Sequence, residues 1–202
     1  MEDSIYKLLK YVDDSKVLAE ASTEDEVQRL QENLNNVYQW ADTNNMRWNE
    51  VKFQIMRLGK DEELKENTKF FTPNYEELID EKDTIKDLGV LVDSNLRYKS
   101  QIMSAVSKAR RKLGWVLRTF RTRSVYLLRR LWNSVIQPHL DYGSMVWVGQ
   151  ATKEQKLLLE GLLRTLTKSA WGCERMNYWE RLQKFNISNN ERRMECYAVI
   201  YI

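Results

Sequence analysis

The sequence predicts an α+β fold in two parts: short antiparallel strands with one covering helix over residues 1–95, then an all-α region over 96–202. Three observations carry this. In the first part apolar residues come in short runs around turn formers or alternate with polar ones, the period of a strand, with one helical stretch among them. From residue 96 onward they recur at three- and four-residue intervals, the period of a helix with one buried face. The charge changes sign between the parts as well. Residues 1–95 hold 22 acidic and 12 basic residues, a net −10, whereas residues 96–202 hold 7 and 20, a net +13, so the total of +3 conceals a strong dipole.

Taken in order, Leu8 to Tyr11 and Lys16 to Ala19 flank Asp13-Asp14-Ser15, and short apolar runs around turn residues predict a hairpin. Thr23-Glu24-Asp25-Glu26 is a capping box, followed at helical spacing by Val27, Leu30, Leu34, Val37 and Ala41, with acids in the first turn where the helix dipole favours them. After Asn44-Asn45, Phe53 and Ile55 alternate with Lys52 and Gln54, so a half-buried strand is expected within Met46 to Leu58, ended by Gly59. Residues 60–83 are charged, contain Pro73 and read as a loop with one short strand. Thr84 to Val92 is a second β segment, in which Gly89 marks a bulge or a close backbone approach.

Ile102, Val106, Ala109, Leu113, Val116 and Phe120 then form the apolar stripe of one helix, and Leu128, Leu131, Trp132 and Val135 that of the next, which Pro138 should stop. Thr152 and Gln155 make another capping box, opening a helix with Leu158, Leu159, Leu162, Leu163 and Leu166 facing inward. A last helix is expected from near Ser188 into the apolar C-terminus, which looks like a cut end.

Composition removes several function classes. No apolar run approaches the ~18 residues of a membrane span, no 7-residue apolar stretch of a leader can be drawn in Met1 to Lys10, and the chain reads as intracellular with no membrane partner. Seven Trp and ten Tyr argue against disorder. Cys173 and Cys196 are too few for a disulfide framework or a structural zinc site, and both are assigned to packing. With His139 the single histidine, a Ser/His/Asp or Cys/His site is disfavoured, and no Gly-rich phosphate loop is present.

Two features could carry chemistry. Asp13 and Asp14 sit at the tip of the expected hairpin, where adjacent aspartates suit either a solvated turn or oxygen ligation of Mg²⁺ for phosphoryl transfer. The second is a 47-residue stretch between Asp93 and Asp141 that holds no acid and eleven Lys and Arg, from Arg97 to Arg130. On a helical wheel Lys108, Arg111, Trp115 and Arg118 lie opposite Ile102, Ala109, Leu113 and Phe120, and Arg121, Arg123, Arg129 and Arg130 extend the charge. Cations with an interleaved aromatic suit contact with a nucleic acid, the cations on phosphates and the ring on a base or sugar. A solvated charged face is the plain alternative.

Tyr11-Val12-Asp13-Asp14 has the form aromatic-x-Asp-Asp, and the strings that follow it resemble, in order, the C-terminal half of a non-LTR retrotransposon reverse transcriptase. They are Trp40 at a helix end, then Met46, Trp48, Asn49 and Lys52, then Lys86-Asp87-Leu88-Gly89-Val90. Lys108-Ala109 with Leu113-Gly114 follows, then Pro138-His139-Leu140 with Tyr142-Gly143-Ser144 and Trp147. Leu159-Glu160, Tyr178 with Glu180-Arg181-Leu182, and Glu191-Arg192-Arg193 complete the series.

The resemblance implies a partial palm over 1–95 and a helical thumb over 96–202. It implies Asp13 and Asp14 as catalytic metal ligands for Mg²⁺, Lys52 as a cation on pyrophosphate or its proton donor, and Gly89, Val90 and Leu91 on a primer-grip-like strand. An RNA template and a DNA primer are the implied partners. The family's fingers and first catalytic aspartate precede the Asp pair, whereas ten residues precede Tyr11 here, so the chain resembles an RNA-directed DNA polymerase begun in mid-palm and is not expected to polymerise alone. The family more often has Ala at the place of Val12. A non-catalytic nucleic-acid-binding module and an inert remnant are the alternative readings.

Overall fold

The computed structural model describes residues 6–12, 14–49, 52–59, 63, 68–72 and 77–200. It is an α+β fold that divides into two compact units, Met1–Asp83 and Thr84–Ile202.

In the first unit β1 (Tyr6–Tyr11) and β2 (Asp14–Ala19) form the expected antiparallel hairpin, with Tyr11 opposite Asp14. Val12 begins the turn at φ 56°, and Asp13 lies outside the described residues. Helix α1 (Glu24–Thr43) starts at the Thr23 capping box, in which Thr23 Oγ1 accepts from the Glu26 N–H and the Glu26 carboxylate accepts from the Thr23 N–H. The Lys10 ammonium lies 4.5 Å from the centre of the Trp40 ring on α1. Gln31, buried on α1, donates through Nε2 to the Phe71 carbonyl at 3.0 Å and accepts from the Phe71 N–H at 2.8 Å.

The strand expected within 46–58 is reduced to β3 (Gln54–Ile55), which pairs in parallel with β4 (Asp80–Glu81). The physical reason lies just before it. The Lys52 N–H bonds back to Asn49 O at 3.0 Å, turning the backbone, while Trp48 and Phe53 both pack on Tyr38 with ring centres about 6 Å apart. Clustered aromatics, rather than a ladder, satisfy this segment.

The second unit opens with β5 (Thr84–Asp87) and β6 (Val90–Asp93), an antiparallel hairpin whose turn residues Leu88 and Gly89 have φ of 45° and 87°. The single β segment with a bulged Gly89 is thereby corrected to two strands and a two-residue turn, the geometry that matches strand twist and requires positive φ twice. The hairpin belongs with the helices. Leu91 N–H donates to Gln101 Oε1 at 3.0 Å, and the Tyr142 hydroxyl donates to Leu88 O at 2.6 Å.

Helix α2 (Lys99–Thr119) buries Ile102, Val106, Ala109, Leu113 and Val116, as the periodicity predicts. Its cap residue, Tyr98, is in the left-handed region and offers no side-chain bond. The buried Asp93 carboxylate takes that role, accepting from Ser100 N–H at 3.3 Å and from Thr84 Oγ1 at 3.1 Å.

Beyond it come α3 (Val125–Leu131), a π-helical turn (Trp132–Ile136), α4 (Pro138–Asp141) and α5 (Ser144–Trp147). Pro138 does not end the helical path. The wide turn closes with Gln137 N–H on Trp132 O at 2.8 Å, and Pro138, which has no N–H to lose, begins the next turn. Gly143, at φ 62°, must remain glycine because a Cβ there would meet Val90 Cγ2 at 2.8 Å.

Helix α6 (Lys153–Lys168) opens at the Thr152 box and buries Leu159, Leu162, Leu163 and Leu166, while Leu158 is turned partly to solvent. Leu158 is corrected to the helix flank, since its neighbour Leu159 takes the inward position. Helices α7 (Tyr178–Phe185) and α8 (Asn190–Ile200) follow. Trp132 and Trp147 lie in the core, Cys173 is buried and Cys196 is exposed, so packing accounts for only the first of the two cysteines. Among the described residues no helix is long and apolar enough to cross a membrane.

Asp93→Ala is expected to cost about 2 kcal/mol, because it leaves the Ser100 and Thr84 donors without their charged acceptor. The measurement is a lowered urea midpoint with an unchanged m value.

Candidate nucleic-acid interface

Helix α2 has two faces with opposite duties. The face opposite its buried stripe carries Arg111, Trp115 and Arg118, with Lys108 and Lys112 on its flank towards α4, all exposed. From Lys108 to Arg118 the rise is about 15 Å, the length of roughly four nucleotides of one strand. Trp115 is 46% exposed and rests its edge on Phe120, with ring centres 5.9 Å apart and planes at 89°. That contact fixes the ring while leaving a face open. Arg118 lies over Gly114, where an added Cβ would come within 3.2 Å of its guanidinium.

The basic residues beyond α2 divide. Arg121 is exposed and extends the cationic face. Arg123 is folded into the loop, with its guanidinium donating to the Leu117 carbonyl, its backbone carbonyl accepting from Trp171 N–H and its Nη1 buried without a partner. Its role here is to close the α2–α3 connection. Arg130 lies along the Tyr126 ring and donates to its hydroxyl at 2.9 Å.

His139, unassigned in the sequence, comes beside this face. It sits on α4 and shares a cleft with Lys86, Gly89, Gln101, Lys108 and Tyr142. Burial first, then the charges of Lys112 and Lys108, hold its imidazole below the usual histidine range. A tertiary juxtaposition of this kind leaves no local mark in the sequence. Gly89 is the hinge of the β5–β6 turn, and Val90 and Leu91 follow on β6, half-buried.

The Asp pair belongs to the first unit. Asp14 is exposed at the start of β2, Tyr11 is 63% exposed, and Lys52 is exposed after its short turn. Among the described residues no hydrogen bond or ion pair joins Asp14 to Lys52, and no group of three or more His, Cys, Asp or Glu could hold a metal ion.

His139 yields a signed pH dependence. Its folded pKa is depressed below the unfolded value near 6.5, so the unfolded chain takes up the proton first as pH falls. The stability this neutral histidine contributes is complete above about pH 7 and is lost as pH drops through the folded pKa. His139→Gln should flatten that part of the stability profile, and an NMR titration of the ring should give a midpoint below 6.5. Comparison of the chain with protein-family models, with curated proteins and with solved structures finds no match.

Proposed function

We propose that the second unit binds nucleic acid through the exposed face of α2, and that the chain descends from the palm and thumb of a non-LTR retrotransposon reverse transcriptase. One observation carries the binding. Eleven cations with no acid among them span residues 94–140, and α2 presents Lys108, Arg111, Lys112 and Arg118 together around an exposed tryptophan. Phosphate neutralisation by such a face releases counterions and is indifferent to sequence, while Trp115 offers a stacking surface to any unpaired base. The ordered series of motifs supports the descent, with an RNA template and a DNA primer as the ancestral partners.

Magnesium chemistry draws on less. Mg²⁺ prefers octahedral oxygen coordination; of the Asp pair only Asp14 is among the described residues, and it is exposed, with no cluster of three or more possible ligands among those residues. Asp13, the main ligand that the resemblance implies, lies outside the described residues.

The binding is tested by titrating duplex and single-stranded DNA at several salt concentrations. Arg111→Ala and Arg118→Ala should each flatten the slope of log K against log salt by about 0.7 to 0.9. Unchanged slopes in both would move the contact elsewhere. Trp115→Ala should cost about 1–3 kcal/mol on single strands and far less on duplex, where bases are already stacked. Descent is tested separately by reading the transcript upstream of Met1: an in-frame strand carrying a further aspartate supports it, and a frame with none opposes it.

A further inference from the structure

A cleft of about 180 Å³ opens in the second unit where the β5–β6 turn, α2 and α4 meet. It lies below the roughly 300 Å³ of sites that take whole small molecules, which restricts it to a compact group. The chemistry of its walls is one-sided. Lys86 enters from β5, Lys108 from α2 and His139 from α4, and no carboxylate lines it. Gln101 is 95% buried, and its Oε1 accepts from Leu91 N–H at 3.0 Å, which fixes the amide and leaves its Nε2 protons to offer. The Tyr142 hydroxyl spends its proton on Leu88 O, pinning the turn to α4.

The turn must be glycine at 89. Its φ is +87°, and a Cβ would sit 3.0 Å from the Tyr142 hydroxyl, taking up space at the cleft wall. Asp141, the acid next to α4's His139 in sequence, is held by Arg193 at 3.0 Å and by Gln137 at 2.6 Å. The cleft is therefore lined mainly by donors from three elements and by no carboxylate.

We propose that this cleft, between Lys86, Lys108, Gln101 and His139, binds a phosphate group. A tetrahedral oxyanion presents several acceptors at once, which suits donors converging from three sides. Lys108 is shared between the cleft and the cationic face of α2, so a backbone phosphate of a strand lying on α2 is one source and free inorganic phosphate the other. The first source rests on the nucleic-acid reading, and the second does not. A bound anion also offsets the Lys86, Lys108 and Lys112 charges around His139 and draws a proton onto the ring. A phosphodiester does not itself titrate between pH 5 and 8, so this proton uptake reports on His139 alone when the probe is DNA without terminal phosphates.

The experiment follows the His139 ring resonances of the full chain by NMR during titration with inorganic phosphate and, separately, with a 20-base-pair duplex. Parallel titrations use Lys86→Ala and Lys86→Glu, exposed-site changes whose folding is checked by their melts. Movement of the ring by the duplex, a rise of about 1 in its pKa, and a salt slope reduced by about 0.7 to 0.9 in Lys86→Ala establish the cleft with backbone phosphate as source. Movement by inorganic phosphate alone, abolished in Lys86→Glu, establishes it with free phosphate as source, even where the duplex fails to bind and the nucleic-acid reading falls. Ring resonances that neither probe moves, or that move equally in wild type and both Lys86 variants, overturn the proposal.

Discussion

Burial of one face of α2 is the constraint on which the second unit depends. Ile102, Val106, Ala109, Leu113 and Val116 are within 4% of complete burial, and α6, the π-helical turn and α4 are arranged to cover them. Each Ile, Val or Leu side chain among them contributes about 1.5–3 kcal/mol, enough that the rotation of α2 about its axis is fixed by its apolar stripe. Once that rotation is fixed, so is the direction of the opposite face. The cations project outward because the aliphatics cannot.

The N-terminal end of α2 and the hairpin before it are tied by polar bonds that serve the same geometry. Asp93 caps the first turn from the adjacent strand, Gln101 grips the backbone of β6, and Tyr142 reaches from beyond α4 to the β5–β6 turn. These bonds are why the hairpin belongs with the helices rather than with the acidic first part. The charge boundary in the sequence lies near Asp93, but the boundary between compact units lies at Asp83 and Thr84, since strands attach to whatever pairs and caps them. Asp93 closes the acidic part of the sequence while holding the start of the basic helix.

What was legible in the sequence was mostly local. The boxes at Thr23 and Thr152 and the stripe of α2 from Ile102 to Val116 depend on residues three to seven apart, and the structure has them; the first hairpin is there too, but Asp14 and Ser15, expected in its turn, lie on β2 opposite Tyr11 and Lys10, and Phe120 is a half-buried cap. Helix α7 carries the same signal at Asn177 and Glu180, whose reciprocal cap bonds are present, although only about two turns of helix follow it to show a period. Pro138 predicts a stop because a proline breaks a regular ladder, whereas the wide turn before it closes with Gln137 N–H on Trp132 O and lets Pro138 begin the next turn. Arg123 and His139 were beyond local reading altogether. The first turns inward on a carbonyl six residues back, and the second meets lysines on another helix.

The cost of the α2 surface bears on its meaning. Like charges three and four residues apart destabilise a helix by a few tenths of a kcal/mol each, and α2 places Lys108, Arg111 and Lys112 in that relation with no Glu or Asp beside them. Several other cations of the unit are partnered: Lys156 with Glu191 at 2.9 Å, Arg193 with Asp141 at 3.0 Å, and Arg164 over the Tyr178 ring at 4.3 Å. A chain able to pair its charges on α6, α7 and α8 had the means to do so on α2. One glutamate at an exposed α2 position would relieve repulsion at no cost to the core, because the buried stripe and the charged face share no residues. A face that is unfavourable in the isolated protein would become favourable if a polyanion supplied the missing charge, and the cleft at His139 would follow the same logic on the scale of a single phosphate.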